Sequence, residues 1–133
     1  MSRLLLDTHV WVWWVDRPEK LSRAQRTAID HVCRSGREPL LLSIISCWEV
    51  ALLHARRRIR PSTPLESWLD QSTAVPGLEV LPLTIPVVVT AARLTELHDP
   101  ADQLIVATAQ HHGARLVTSD ARIAATRAVS IVG

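Results

Sequence analysis

Apolar residues along this chain fall into two patterns, short unbroken runs and stripes at helical spacing. Arg3-Leu4-Leu5-Leu6 and Leu40-Leu41-Leu42 show no polar alternation, the mark of strands covered on both faces of a parallel sheet. Leu78 to Leu83, Arg115 to Thr118 and Val129 to Val132 predict three further strands. Helical segments separate them. A short helix bearing tryptophans is predicted from Thr8. Ser22 is placed to cap a second, with Ala24, Ala28, Ile29 and Val32 on one side and Gly36 as its stop. Ser46-Cys47-Trp48-Glu49 opens a third, running to about Arg58, and Ser62-Thr63-Pro64 punctuates a fourth that ends near Gln71. Thr84 caps a fifth with Val88, Ala91, Ala92 and Leu94 inside. Asp99-Pro100 starts a sixth, with proline where its missing N–H costs nothing, and Gly113 ends it. Strands alternating with helices predict an α/β fold: a three-layer α/β/α domain with a mostly parallel sheet of about four to five strands.

Composition narrows this. At 133 residues and 14.8 kDa the chain suits a single domain, residues 1–133. With 47% hydrophobic and 21% charged residues, a packed core is expected and disorder is excluded. Asp7 and His9 interrupt the N-terminal apolar run, and no stretch reaches the ~18 apolar residues of a membrane span. A cytoplasmic protein without a membrane partner is expected. Cys33 and Cys47 are too few for a disulfide framework or a zinc site, and are read as small buried hydrophobes. The net charge is only +2, so any nucleic-acid contact must be local. Two biases stand out. Lys20 is the only lysine among 15 basic residues, and all the aromatics are tryptophan.

Four acids are singled out by position. Asp7 follows the first predicted strand and Asp120 the fourth, while Glu49 and Asp102 lie in the first turns of the third and sixth helices. In an open α/β sheet the strand C-termini and the N-termini of following helices share one edge, where ligands bind. Carboxylates gathered there repel one another unless a cation neutralises them. An oxygen-only set points to a hard divalent ion, Mg²⁺ or Mn²⁺. Such an ion activates a water and clamps a phosphate, so the implied chemistry is phosphodiester hydrolysis. Each acid also has a local reading. Ser46-x-x-Glu49 matches a capping box, Asp102 complements a helix dipole, and Asp120 could cap a short helix. Asp99 is the natural N-cap of the sixth helix and is left out of the metal set. Asp7 resists such a reading, because a carboxylate ending a buried leucine run needs a partner.

Leu4-Leu5-Leu6-Asp7-Thr8-His9-Val10-Trp11 resembles the opening of a PIN-domain protein, specifically a VapC-type toxin of bacterial toxin–antitoxin pairs. Asp99 to Ala109 and Leu116-Val117-Thr118-Ser119-Asp120 resemble later blocks of that family, and Ser46 to Ala51 fits the weaker block between them. The resemblance implies a PIN-like fold and a Mg²⁺- or Mn²⁺-dependent endoribonuclease, with Asp7, Glu49, Asp102 and Asp120 as the catalytic, metal-holding acids. It makes Thr118 an auxiliary hydroxyl and implies a homodimer silenced by a VapB-type antitoxin. Gln103 departs from the pattern, standing where many relatives carry arginine. Alternatives within the resemblance are a housekeeping RNA-processing nuclease and a PIN-like binding module without catalysis. A phospho-accepting receiver domain would need a lysine late in the sheet, and Lys20 sits in an early loop.

Trp11 and Trp14 are three residues apart on one helical face, and Trp13 points elsewhere. Together with Arg56, Arg57, Arg58 and Arg60, the only dense basic run, Trp11 and Trp14 are candidate contacts for RNA or antitoxin. Core packing and a solvated helix end are the plainer readings of the two groups. Trp48 is a candidate border of the cleft and Trp68 a packing residue. His9, His54, His98, His111 and His112 show no metal spacing and are read as loop or surface side chains.

Overall fold

A computed structural model describes residues 3–56 and 63–133. Five strands form one wholly parallel sheet: β1 (Arg3–Leu6), β2 (Leu40–Ser43), β3 (Leu78–Leu81), β4 (Ala114–Val117) and β5 (Ile131–Val132). Their order in space is β3-β2-β1-β4-β5. Seven α-helices connect them among the described residues: α1 (Thr8–Asp16), α2 (Arg23–Ser35), α3 (Ile44–Ala55), α4 (Leu65–Thr73), α5 (Ile85–Arg93), α6 (Pro100–His111) and α7 (Ala121–Thr126), with a 3₁₀ turn at Pro18–Lys20.

The leucine runs lack alternation because β1 is central. It pairs Leu4 with Leu40 and Leu6 with Leu42 on one side, and Leu5 with Leu116 on the other. Successive side chains then point into two different cores. Leu4, Leu6, Leu40 and Leu42 pack with Trp11, Ile29, Val50 and Trp68. Leu5, Leu41 and Leu116 pack on the other face with Ile105, Val106, Ala109 and Ile123. A third, smaller cluster of Val87, Ala91 and Ala107 joins α5 to α6.

Local signals set most helix ends. Ser22 and Gln25 form a reciprocal capping box at α2, and Gly36, at φ 63°, closes that helix in the left-handed conformation that favours glycine. Asp99 caps α6 through the Ala101 N–H, with Pro100 in its first turn. The third helix differs from expectation. It starts at Ile44, immediately after β2, with the Ser43 hydroxyl accepting from the Ile45 N–H. Ser46 is therefore inside the helix and fully buried, and the Ser46–Glu49 capping box does not form.

The tryptophans are also redistributed. Trp11 is fully buried, its indole N–H donating to the Ser72 carbonyl at 3.2 Å and its ring tilted on Trp68 with centroids 5.0 Å apart. It is thus unavailable as an RNA or antitoxin contact. Trp68 packs as expected and donates to Asp16 Oδ2 at 2.9 Å. Trp14 is half-buried against the same core. Cys33 is exposed rather than buried, and Cys47 is intermediate. No helix among the described residues is long and apolar enough to cross a membrane.

Because Trp11 belongs to the core, Trp11→Ala is expected to lower unfolding free energy by about 3–5 kcal/mol. A urea titration checks this: an unchanged midpoint would mean that the indole is not buried in solution.

Candidate active site

The strand order reverses beside β1: β2 and β3 lie on one side of it, β4 and β5 on the other. At such a switch point the connections leave in opposite directions and open a crevice at the strand C-termini. Asp7 ends β1 at this point. Its N–H still donates to the Val117 carbonyl at 3.0 Å, and it also serves as the N-cap of α1. One carboxylate oxygen accepts from the Thr8 N–H at 2.8 Å, and the other from the Thr118 hydroxyl at 2.6 Å. The side chain is therefore pinned by the start of α1 and by the residue that follows β4. Burial pushes its pKa above the ordinary carboxylate value, against the opposing pull of those two hydrogen bonds.

Thr8 carries the arrangement to α3. Its hydroxyl lies 2.9 Å from Ser46 Oγ and 2.5 Å from Glu49 Oε1. With one proton to give, it donates to the carboxylate and accepts from Ser46. The side chain expected to cap α3 instead supports the hydroxyl that orients Glu49. Burial raises the Glu49 pKa, the Thr8 hydrogen bond lowers it, and the charges of Asp7 and Asp99 raise it further.

Asp102 stands in the first turn of α6. Its pKa is pushed up to about 7, first by burial and then by Asp99, Asp7, Asp120 and Glu49. Asp120 caps α7, accepting from the Arg122 N–H at 2.9 Å, while the Arg122 guanidinium lies 3.4 Å from its carboxylate. Burial works upward on Asp120, but the hydrogen bonds and charge of Arg122 outweigh it and lower its pKa.

These groups line one cleft of about 370 Å³, with Asp7, Glu49, Asp99, Asp102 and Asp120 in its wall. Four of the five are the acids singled out in the sequence. Asp99 has both roles, accepting from the Ala101 N–H at 2.8 Å and facing the cleft. His9, Val10, Trp13, Ser119 and Arg122 complete the lining. Sequence reasoning placed none of these five there. Helical spacing from Asp7 could have found His9, Val10 and Trp13 on α1, and adjacency to Asp120 could have found Ser119 and Arg122. Behind the wall, the buried Gln25 donates to Ser119 Oγ at 2.9 Å and accepts from the Ser22 N–H. The capping box of α2 thereby braces the loop that bears Asp120.

The remaining candidates fall elsewhere. Trp14 and Trp48 do not line the cleft, although Trp48 is more than half exposed on α3. Arg56 is exposed at the end of α3 and also stands outside the lining, while Arg57, Arg58 and Arg60 lie outside the described residues. Gln103 turns from the acids and donates to the carbonyls of Leu94 and Leu97 at 3.0 and 2.8 Å, tying the α5–α6 connection.

A divalent cation suits this donor set: hard oxygens, and a surplus of negative charge that adds to burial in raising Asp102 to about 7. Among the described residues no group of three or more His, Cys, Asp or Glu side chains is placed to hold a metal ion as it stands. Such a wall suits an ion like Mg²⁺, which keeps several waters and takes only one or two carboxylates directly.

Known proteins resemble this chain in sequence and in fold. A sequence profile of the PIN domain matches residues 4–129. Ribonuclease VapC22 of Mycobacterium tuberculosis is 40% identical over 129 residues, which cover 96% of this chain and 94% of that protein. Among solved structures, VapBC2 from Rickettsia felis bound to a DNA fragment from their promoter is similar with a TM-score of 0.70 at 15% identity, covering 98% of this chain and 97% of the other. A toxin–antitoxin complex from Klebsiella pneumoniae has a TM-score of 0.64 at 17% identity, covering 95% and 94%. At those identities the structural likeness speaks for the fold alone. The full-length sequence relative and the profile go further: this chain belongs to the PIN-domain family, on its VapC branch.

Proposed function

We propose that this protein is a metal-dependent endoribonuclease and the toxin of a VapBC-type pair. The observation that carries this reading is the convergence of five carboxylates, drawn from four segments of the chain, on one cleft at the switch point. The full-length likeness to a protein named ribonuclease supports it.

Asp7, Glu49, Asp102 and Asp120 are the acids that would hold the ion. When bound, Mg²⁺ or Mn²⁺ would offset the negative charge of cleft and phosphate and lower the pKa of the attacking water. The protein's own part is placement. Thr118 and the Thr8 N–H hold Asp7 in one rotamer, and the Thr8 hydroxyl, braced by Ser46, holds Glu49. Asp102, with its pKa near 7, can carry a proton until a cation displaces it. Arg122 on the rim is the guanidinium placed to meet a phosphate oxygen. Water attacks phosphorus in line, the P–O3′ bond breaks, and the products are a 5′-phosphate and a 3′-hydroxyl.

A VapB-type antitoxin is the proposed protein partner, and a second copy of the chain another. For the second copy, α5 presents Ile85, Val88 and Val89 as an exposed apolar stripe at positions i, i+3 and i+4. The cytoplasm, where RNA and an antitoxin are both met, is the proposed compartment.

Digestion of a mixed RNA pool should require Mg²⁺ or Mn²⁺, stop with EDTA, and fall at least 10²-fold in Asp7→Asn, on the scale of losing one transition-state electrostatic contact. Cleavage that survives either treatment removes the metal mechanism. Cation binding should strengthen as pH rises through about 7, because protonated Asp102 must lose its proton first. Calorimetry in buffers of different ionisation enthalpy reads that proton release, and a pH-independent affinity would contradict it. Stability carries the opposite sign. A folded-state pKa raised from 3.8 to about 7 means that this carboxyl's stabilising contribution is lost as pH climbs through that window. Metal-free Asp102→Asn should therefore melt a few degrees higher than the parent at pH 8, with the gap closing near pH 4. Replacing Ile85 and Val88 together by Glu should shift sedimentation toward monomer.

A further inference from the structure

The five tryptophans are used differently. Trp11 and Trp68 are buried on one another, Trp14 and Trp48 stand outside the cleft, and Trp13 faces the acids. Its indole packs against the core that holds Leu4 and Leu6, so its orientation is set before any ligand arrives. His9, one turn earlier on α1, lies with its ring centroid 6.1 Å away and tilted by 53°. The two form an aromatic corner in the cleft wall.

This corner stands on the helix that Asp7 caps. Trp13 is six residues beyond Asp7, roughly 9 Å along the axis at 1.5 Å per residue, which is the scale of one nucleotide. Electrostatics in the cleft oppose a polyanion: five carboxylates face it, and Arg122 is the only Arg or Lys among the described lining residues. Base stacking does not depend on charge, and every base has a π-face.

Resting on the ribonuclease reading above, we propose that Trp13, flanked by His9, is a stacking platform for the base next to the scissile phosphate of a single-stranded RNA. The platform supplies affinity where the acids repel the backbone. It also selects RNA whose base at that position is unpaired and free to turn out, because a base held in a duplex cannot cover the indole.

The test uses the full-length protein with Mn²⁺ and a single-stranded RNA dodecamer carrying a cut site mapped from the pool digestion. Two further dodecamers each lack the base on one side of the cut. The wild type should lose about tenfold or more in kcat/KM on one abasic RNA, in line with the stacking contribution of one base. Trp13→Ala should show the same loss on the intact RNA and no further loss on that abasic RNA, while Trp13→Phe keeps most of the rate. Trp13→Leu, which retains bulk against the core without a π-face, replaces the alanine variant if that variant does not fold. Equal penalties for the variant on intact and abasic RNA would overturn the proposal, since the residue would then act on the shape of the cleft. Unchanged kcat/KM on intact RNA overturns it as well, and a simultaneous loss of affinity for the antitoxin would assign this corner to the protein partner. A wild type that cuts with no coupling between Trp13 and a flanking base removes the platform alone. A wild type that cuts no RNA removes the ribonuclease reading and the platform together.

Discussion

The structure turns on a carboxylate that has no business in a core. Asp7 closes a strand whose leucines are all buried, and it is itself only 9% exposed. A charge so placed is tolerated only when its oxygens are hydrogen-bonded. Here the bonds come from the first N–H of α1 and from a hydroxyl at the end of β4. Those two donors exist together only where β1 and β4 are neighbours and the chain turns straight from strand to helix. The parallel pairing, the helix start and the position of the acid are one requirement met once.

From that point the site grows by contact. Thr8, required beside Asp7 as the first residue of α1, reaches across to Glu49 and is itself supported by Ser46. On the opposite wall, Gln25 reaches from the α2 cap to Ser119, next to Asp120. Each acid except Asp102 is held by a neighbour's hydroxyl, N–H or guanidinium. Asp102 is raised to about 7, first by burial and then by the repulsion of Asp99, Asp7, Asp120 and Glu49. The cluster works against folding, and the two leucine-rich cores on either side of the sheet hold it in place. Local rules broken at one place and satisfied elsewhere are what a functional site looks like.

Sequence reasoning succeeded where the cause is local and failed where it is not. The leucine runs announced buried parallel strands because both faces of a central strand need apolar side chains. Ser22, Thr84 and Asp99 announced helix starts because a cap and the N–H it satisfies lie within three residues. The start of α3 was misjudged because Ser43 and Ser46 are both competent caps. Only the β2 ladder, which carries the chain as far as Ser43, decides between them. Trp11 and Trp14 share a helical face, yet Trp11 is buried because α4 brings Trp68 and the Ser72 carbonyl to it. Gln103 looked like a missing charge and is a hydrogen-bond donor to two carbonyls upstream of its own helix.

By itself, the sequence determined the α/β alternation, most helix caps and the four acids worth watching. Hydrophobic period and capping are short-range properties, written within a few residues. Tertiary structure alone decided that those acids share a cleft with Asp99, that Thr8 and Thr118 hold two of them, and that Trp13 rather than Trp11 faces them. Contacts between residues 38 and 111 positions apart depend on sheet order, and sheet order is set by how two layers of helices can cover both faces of the strands at once.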